Sequence, residues 1–280
     1  MTGGRDLAAE QAALWNGPGG KSWLAAYDRI QKSLVGFNSD VMAGAMAQPG
    51  ERVLDVGCGT GGTTAELAGK VALKGSVLGV DISELLIETA RAQKLANAFF
   101  AVGDATTHAF DTASFDLVFS RFGVMFFADP VAAFNNLRRA LKPSGRLVFV
   151  CWRTPQENPW GLVPLRAAAP HLPQMERPGP EDPGQYAFGN RTRVERILKE
   201  SGFAAPVFQP LDRDNVLGKD IDETLHNLSR FGPLARLFAE ATPDQVDKAK
   251  AAVAEALEPH TGPKGIVLAA ACWLVSAKVQ

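Results

Sequence analysis

The stretch RVLDVGCGTGGTTAEL, from Arg52 to Leu67, decides the fold. A short β-rich run ends in a glycine-dense turn, and helical spacing resumes at once. Gly57, Gly59 and Gly62 spell G-x-G-x-x-G, and Asp81 closes the next apolar run, SVLGVD. Strand, glycine turn and helix in that order form a nucleotide-binding unit, with the second acid placed for a ribose. On spacing alone the turn suits two ligands, a dinucleotide or a nucleoside-bearing methyl donor.

Outward from this unit the same alternation continues to Trp152. SELLIETARAQK is an amphipathic helix with Ser83 as its cap, and AFFAVGD is strand-like. FDLVFSRF is a nearly unbroken apolar run, as a parallel strand covered on both faces requires. DPVAAFNNLRRAL starts with Asp129 as N-cap and Pro130 at the first helical position, and RLVFVCW makes a fifth strand. This pattern predicts right-handed crossovers and an α/β, doubly wound, Rossmann-like sheet.

The flanks read differently. Residues 1–50 form an N-terminal arm whose later part is helical, with Trp15 and Trp23 around a glycine-rich hinge, NGPGG. The tryptophans either pack the arm onto the sheet or make it a flap. Residues 51–152 are the cofactor-binding core. Residues 153–190, dense in Pro and Gly, are expected to be a lid loop. Residues 191–280 complete the sheet, with a helical insertion at about 219–260 and GIVLAAACWLVSAKV as the last strand.

Composition narrows the function. The 280 residues are 46% hydrophobic and 21% charged, enough for a sizeable core. Lys plus Arg, 29, nearly cancels Asp plus Glu, 30, so nothing attracts a phosphate backbone or an anionic membrane in general. We expect no nucleic-acid partner. The longest uncharged apolar stretch, Ile266 to Ala277, is shorter than the ~20 residues of a membrane span. No basic patch and apolar run open the chain, so a secretory signal is not expected. Cys58, Cys151 and Cys272 are scattered, without metal-ligand spacing. The expectation is a cytoplasmic protein without a metal, as a monomer or a homodimer.

Asp55 lies two residues before Gly57. A carboxylate there opposes a pyrophosphate but suits S-adenosylmethionine, whose amino group and sulfonium are positive. Asp81 serves either ligand. Asp104 and Ala105, in VGDATTHAF, are placed to read an adenine edge, with a turn-shaping aspartate as the plainer alternative.

Taken together, VLDVGCGTGG, GVDIS, GDA, FDLVFSRFGVMFF and LKPSGRLVFV resemble the ordered motifs of class I S-adenosylmethionine-dependent methyltransferases. The resemblance is to the type 11, ubiquinone- and menaquinone-biosynthesis-like branch, and it covers Arg52 to about Trp152. It implies a seven-stranded sheet with a reversed last strand. It also implies that Gly57, Gly59 and Gly61 pass close to the methionine part, and that Asp55 organises its amino group. Asp81 would bind the ribose, Ile82 would lie on one adenine face, and Asp104 and Ala105 would read the adenine edge. Ser120 would sit near the methionyl carboxylate or the transfer centre.

The acceptor is less legible. The Asn/Asp-Pro-Pro-aromatic motif of many amino-group methyltransferases is replaced by SRFGVMFF, which turns the expectation towards oxygen or carbon of a small apolar or aromatic metabolite. Phe122 or Phe126 would face it, Arg121 would answer an acidic group on it, and His171 would reach it from the lid. His108, His226 and His260 have no better reading than local hydrogen bonding, and no general base is assigned. The alternatives are a nicotinamide-dependent oxidoreductase and a non-catalytic protein that retains the cofactor fold.

Overall fold

In a computed structural model, which describes residues 5–174, 179 and 181–280, the expected alternation becomes a single sheet. The helical arm consists of α1 (Leu7–Asn16), α2 (Pro18–Ala25) and α3 (Tyr27–Gly44). The nucleotide-binding half follows as β1 (Arg52–Val56), α4 (Gly62–Val71), β2 (Ser76–Asp81), α5 (Glu84–Arg91) and β3 (Ala98–Val102). Next come β4 (Phe115–Arg121), α6 (Pro130–Ala140) and β5 (Leu141–Trp152). After α7 (Pro159–Ala168) and α8 (Arg191–Glu200), the long β6 (Phe203–Gly218) leads to α9 (Ile221–Leu228), α10 (Pro233–Glu240) and α11 (Pro243–Leu257). The two-residue β7 (Thr261–Gly262) and the long β8 (Gly265–Val279) end the chain.

The strand order is β3-β2-β1-β4-β5-β8-β6, with β7 paired to β8. The strands β3 to β5 run parallel, and β8 is antiparallel to both β5 and β6. This is the seven-stranded sheet with a reversed last strand, enlarged by the short β7. The order reverses at β1, between β2 and β4, so a crevice opens beyond the carboxyl ends of β1 and β4. The central strands are apolar on both faces because helices cover both, and Leu54, Leu117, Val118 and Phe119 are fully buried.

Local signals act as the residue types dictate. Asp129 caps α6 by accepting from the Ala132 amide at 2.9 Å, with Pro130 at the first position. Ser83 caps α5 and also donates to the carbonyl of Trp15 at 2.8 Å, which fastens the arm to the core.

Two expectations need correction. The hinge NGPGG is a break of one residue, Gly17, and Gly19 and Gly20 lie inside α2. The segment 153–190 is not all loop, because α7 occupies Pro159–Ala168 with Pro164 in its interior. Internal proline weakens a helix and hid its periodicity. Burial of Ala168 and Leu172 among α10, α11 and the start of β8 compensates.

The pair β6–β8 outruns β5. Pairing with β5 stops at Trp152↔Cys272, whereas β6 follows β8 to Gly218↔Ile266. This overhang carries α9, α10 and α11, which with α7 form a second apolar core beside the crevice. No helix among the described residues is long and apolar enough to cross a membrane.

Candidate functional site

The crevice is a cavity of about 310 Å³ at the carboxyl ends of β1 and β4. Its walls come from the arm, the strand ends and the overhanging cap. The glycine turn forms its floor. Gly57 and Gly59 adopt φ of +68° and +56°, a left-handed conformation that side chains disfavour. Space closes the case at Gly57, where an added Cβ would stand 2.7 Å from the Cα of Gly123. Gly123, just after β4, is equally confined, because its own Cβ would meet the Val56 carbonyl oxygen at 2.8 Å. Two backbones therefore touch where the strand order reverses.

Asp81 ties this turn to the next. Its Oδ2 accepts from the Gly59 amide at 2.9 Å and its Oδ1 from the Ser83 amide at 2.9 Å. A carboxylate oxygen has two lone pairs. Asp81 lines the cavity and has more accepting capacity than these two amides use, which suits a pair of vicinal ribose hydroxyls. Burial raises its pKa, against the pull of those amides.

Asp55 does not line the cavity. It is wholly buried behind the turn, where its Oδ2 accepts from the Thr63 and Thr64 hydroxyls at 2.7 Å each and its Oδ1 has no partner among the described residues. Desolvation lifts its carboxyl to about 6, opposed by those hydroxyls and by Arg121. A buried carboxylate with a spare oxygen favours a cation nearby.

Ile82, Asp104 and Ala105 join Asp81 on one wall. The Asn16 side chain donates to the Ile82 carbonyl at 3.0 Å and accepts from the Glu84 amide at 2.9 Å, so the end of α1 sits over this wall. Asp104 Oδ1 accepts from the Thr106 amide at 2.7 Å, which shapes the turn and occupies one of its two oxygens. Asn136 holds the carbonyls of Ala105 and His108 at 2.9 Å each.

Besides Asp55, three expected residues are not brought to the cavity. Gly61 faces the sheet instead, and its Cβ would meet the Phe100 ring at 2.9 Å. Ser120 is fully buried and accepts from the Gly123 amide at 3.2 Å, supporting the tight backbone contact rather than a ligand. His171 lies in a short 3-10 turn after α7, away from the lining. No histidine lines this cavity among the described residues, and no cluster of three or more His, Cys, Asp or Glu there suits a metal.

The opposite wall is aromatic. Phe122 has φ of +64°, an outlier for a bulky side chain that costs about 1–3 kcal/mol and persists only where its surroundings enforce it. They do so here. Its amide donates to the Val150 carbonyl at 3.0 Å, and its ring stacks on Trp152 at 4.6 Å with an interplanar angle of 13°. Trp152 in turn meets Trp160 of α7 at 5.0 Å. Phe126 also lines the cavity and packs edge-on against Trp15 of the arm at 5.0 Å.

Arg121 lines the cavity but is already engaged, donating to Asn38 and, at 3.0 Å, to Gln31 on α3. Burial lowers its pKa, and the Asp55 carboxylate works against that. The sequence reading missed Trp152, Trp160, Tyr186 and Arg29. Only Trp152, at the carboxyl end of a strand beside the crevice, carried a positional signal.

Residues 54–149 match the family described as a methyltransferase domain. Aklanonic acid methyltransferase DauC of Streptomyces sp. (strain C5) is 37% identical over 142 residues, 46% of this chain and 63% of that protein. Demethylmenaquinone methyltransferase of Staphylococcus epidermidis is 36% identical over 138 residues, 46% of this chain and 56% of that protein. The match thus spans less than two thirds of either relative. The YcgJ protein of Bacillus subtilis superposes with a TM-score of 0.56 at 16% identity, over 88% of this chain and 98% of that one, which shows a shared fold.

Proposed function

We propose that this chain, whose residues 54–149 are a class I S-adenosylmethionine-dependent methyltransferase domain of the type 11 branch, moves a methyl group to oxygen or carbon of a small aromatic or apolar metabolite. One observation carries the reading. The Asp81 carboxylate, held by the Gly59 and Ser83 amides, and the Phe122–Trp152–Trp160 wall line the same cavity.

Bound there, S-adenosylmethionine supplies an activated methyl on a sulfonium. The chain's part is alignment and exclusion of water. Asp81 fixes the ribose, while Asp104 and Ala105 meet the adenine edge. Asp55 offers a buried negative charge behind the turn that passes the amino acid end. The aromatic wall holds the acceptor flat. Alignment of this kind is worth ~7–11 kcal/mol in favourable intramolecular cases.

The glycine turn is a poor seat for a pyrophosphate. The Gly59 amide is already donated to Asp81, and Tyr27 presses on Gly62 at the start of α4, where an added Cβ would meet its hydroxyl at 2.5 Å. Tyr27 thus crowds the positive helix end that a dinucleotide needs.

The proposal includes a division into an arm (1–50), a cofactor core (51–152), a lid segment (153–190) and a remainder with helical insertion (191–280). It also includes a cytoplasmic, monomeric or homodimeric protein that does not act on nucleic acid. Three buried, free cysteines and the balanced charge support this part.

The test is transfer of labelled methyl from S-adenosylmethionine to a panel of aryl alcohols, phenols and aryl carboxylates. Acceptor-dependent release of S-adenosylhomocysteine is expected. Tight cofactor binding with no transfer to any member would favour a non-catalytic role.

A further inference from the structure

Arg29, on α3, lines the cavity and also a small recess beyond it formed with His226, Asn227 and Arg230. Its guanidinium Nη2 is buried without a hydrogen-bond partner among the described residues. Burial lowers its pKa, and no carboxylate among the described residues offsets that. Arg138 and Arg193 each leave a buried Nε without a hydrogen-bond partner among the described residues as well, but neither lines the cavity, and other arginines held in the fold are answered. Arg146 pairs with Glu51 at 2.7 Å, Arg153 pairs with Asp212 at 2.7 Å, and Arg121 donates to two side-chain amides. A guanidinium is always charged and presents a planar fork of donors that matches a carboxylate. A buried donor left empty is costly, so the fold keeps Arg29 ready for a group it does not itself contain.

Position separates this group from the cofactor. Trp23 Nε1 stands 3.6 Å from where a Cβ on Gly59 would lie, and the Trp23 ring meets Phe231 at 5.8 Å. Arg29 lies beyond, with its guanidinium carbon 5.9 Å from the Phe231 centroid. Contacts through two aromatic rings thus link the glycine turn to this charge, and Arg29 does not come within 4 Å of an added Gly59 Cβ. Among the described residues, the acids lining the cavity, Asp81 and Asp104, belong to the nucleotide wall, and no acid lines the recess. Tyr186 and Asn215 add a buried hydroxyl and a buried amide oxygen to the cavity, both without partners among the described residues. Rings, a cation and two polar groups together describe one kind of guest.

We propose that the acceptor is an aromatic carboxylic acid anchored by its carboxylate on Arg29, which makes Arg29 the residue that sets acceptor specificity. This rests on the methyltransferase reading above. The anionic end sits under the cap, and the ring lies against the Trp152 and Trp160 wall. Arg121, engaged by α3, does not take this part.

Calorimetry of the full chain loaded with S-adenosylhomocysteine tests it. Benzoate, naphthoate and an anthraquinone carboxylate are each compared with the uncharged amide. At least one carboxylate is expected to bind about tenfold or more tightly than its amide, as a charged hydrogen bond gives. In Arg29→Met the preference falls to about twofold or less, and Arg29→Lys retains part of it. Unchanged affinity for S-adenosylhomocysteine in both variants reports an intact fold. Absence of any carboxylate preference in the native chain would overturn the proposal, as would its survival in Arg29→Met. Loss of S-adenosylhomocysteine affinity in Arg29→Met, with an unchanged urea midpoint, would overturn the proposal and assign the guanidinium to the cofactor. A native chain that binds no S-adenosylhomocysteine would remove the underlying methyltransferase reading, and this inference with it.

Discussion

Replacing Asp55 by asparagine tests the buried carboxylate behind the glycine turn. Its carboxyl ionises at about 6 in the fold, against 3.8 for an exposed aspartate, because desolvation outweighs the two threonine hydroxyls. The folded state therefore holds its proton more tightly than the unfolded chain. The stability this gives is complete below the unfolded pKa and is lost as pH rises through the folded one. At 1.36 kcal/mol per unit, the loss is about 3 kcal/mol near pH 8 but only about 1 kcal/mol near pH 4.5. Asparagine has no charge to lose, and its oxygen still accepts from Thr63 and Thr64. Relative to the native chain, Asp55→Asn should gain about 2 kcal/mol between those two pH values. Urea unfolding of the ligand-free chain at both, with midpoint and slope measured, gives the number. A native-minus-variant difference that stays constant with pH would refute the reasoning. The cofactor adds a second readout. An ammonium near this carboxylate expels its proton, so S-adenosylhomocysteine should release protons on binding near pH 6 to the native chain but not to the variant.

Asp81→Ala removes the acceptor for the Gly59 and Ser83 amides and for the ribose. It should weaken S-adenosylhomocysteine by about 1.5–3 kcal/mol in calorimetry, and an unchanged dissociation constant would take Asp81 out of the site. Gly123→Ala places a methyl 2.8 Å from the Val56 carbonyl oxygen and should cost about 1–3 kcal/mol in urea unfolding while weakening the cofactor. Gly69→Ala is its control. It sits inside α4 with nothing within 4 Å of an added Cβ, and it should stabilise by about 0.5–1 kcal/mol. Cys58, Cys151 and Cys272 are buried, and burial pushes each thiol up, so none should react with an aromatic disulfide reagent near pH 8 until urea exposes all three.

The core of the fold was legible because its signals are local. Asp129–Pro130 starts α6 and Ser83 caps α5, through interactions that span three residues or fewer. Gly57, Gly59 and Asp81 could be placed because a strand–turn–helix brings them together whatever surrounds it. The acceptor wall has no such signature. Trp152, Trp160, Tyr186 and Arg29 come from four distant segments, and only the overhang of β6–β8 and the packing of α7 against α11 set them around one cavity. Ser120 and Gly61 illustrate the opposite error. Both lie beside ligand-facing positions in sequence, yet strand alternation and a left-handed turn direct them into the protein. His171 was assigned to a lid because Pro-rich sequence concealed the helix before it.

The most direct measurement is calorimetric titration of the purified chain with S-adenosylhomocysteine and, separately, with NADH. A saturable heat with S-adenosylhomocysteine and none with NADH is predicted, since Asp55 and the occupied Gly59 amide leave the turn no seat for a diphosphate. Saturable heat with NADH, and none with S-adenosylhomocysteine, would contradict the account.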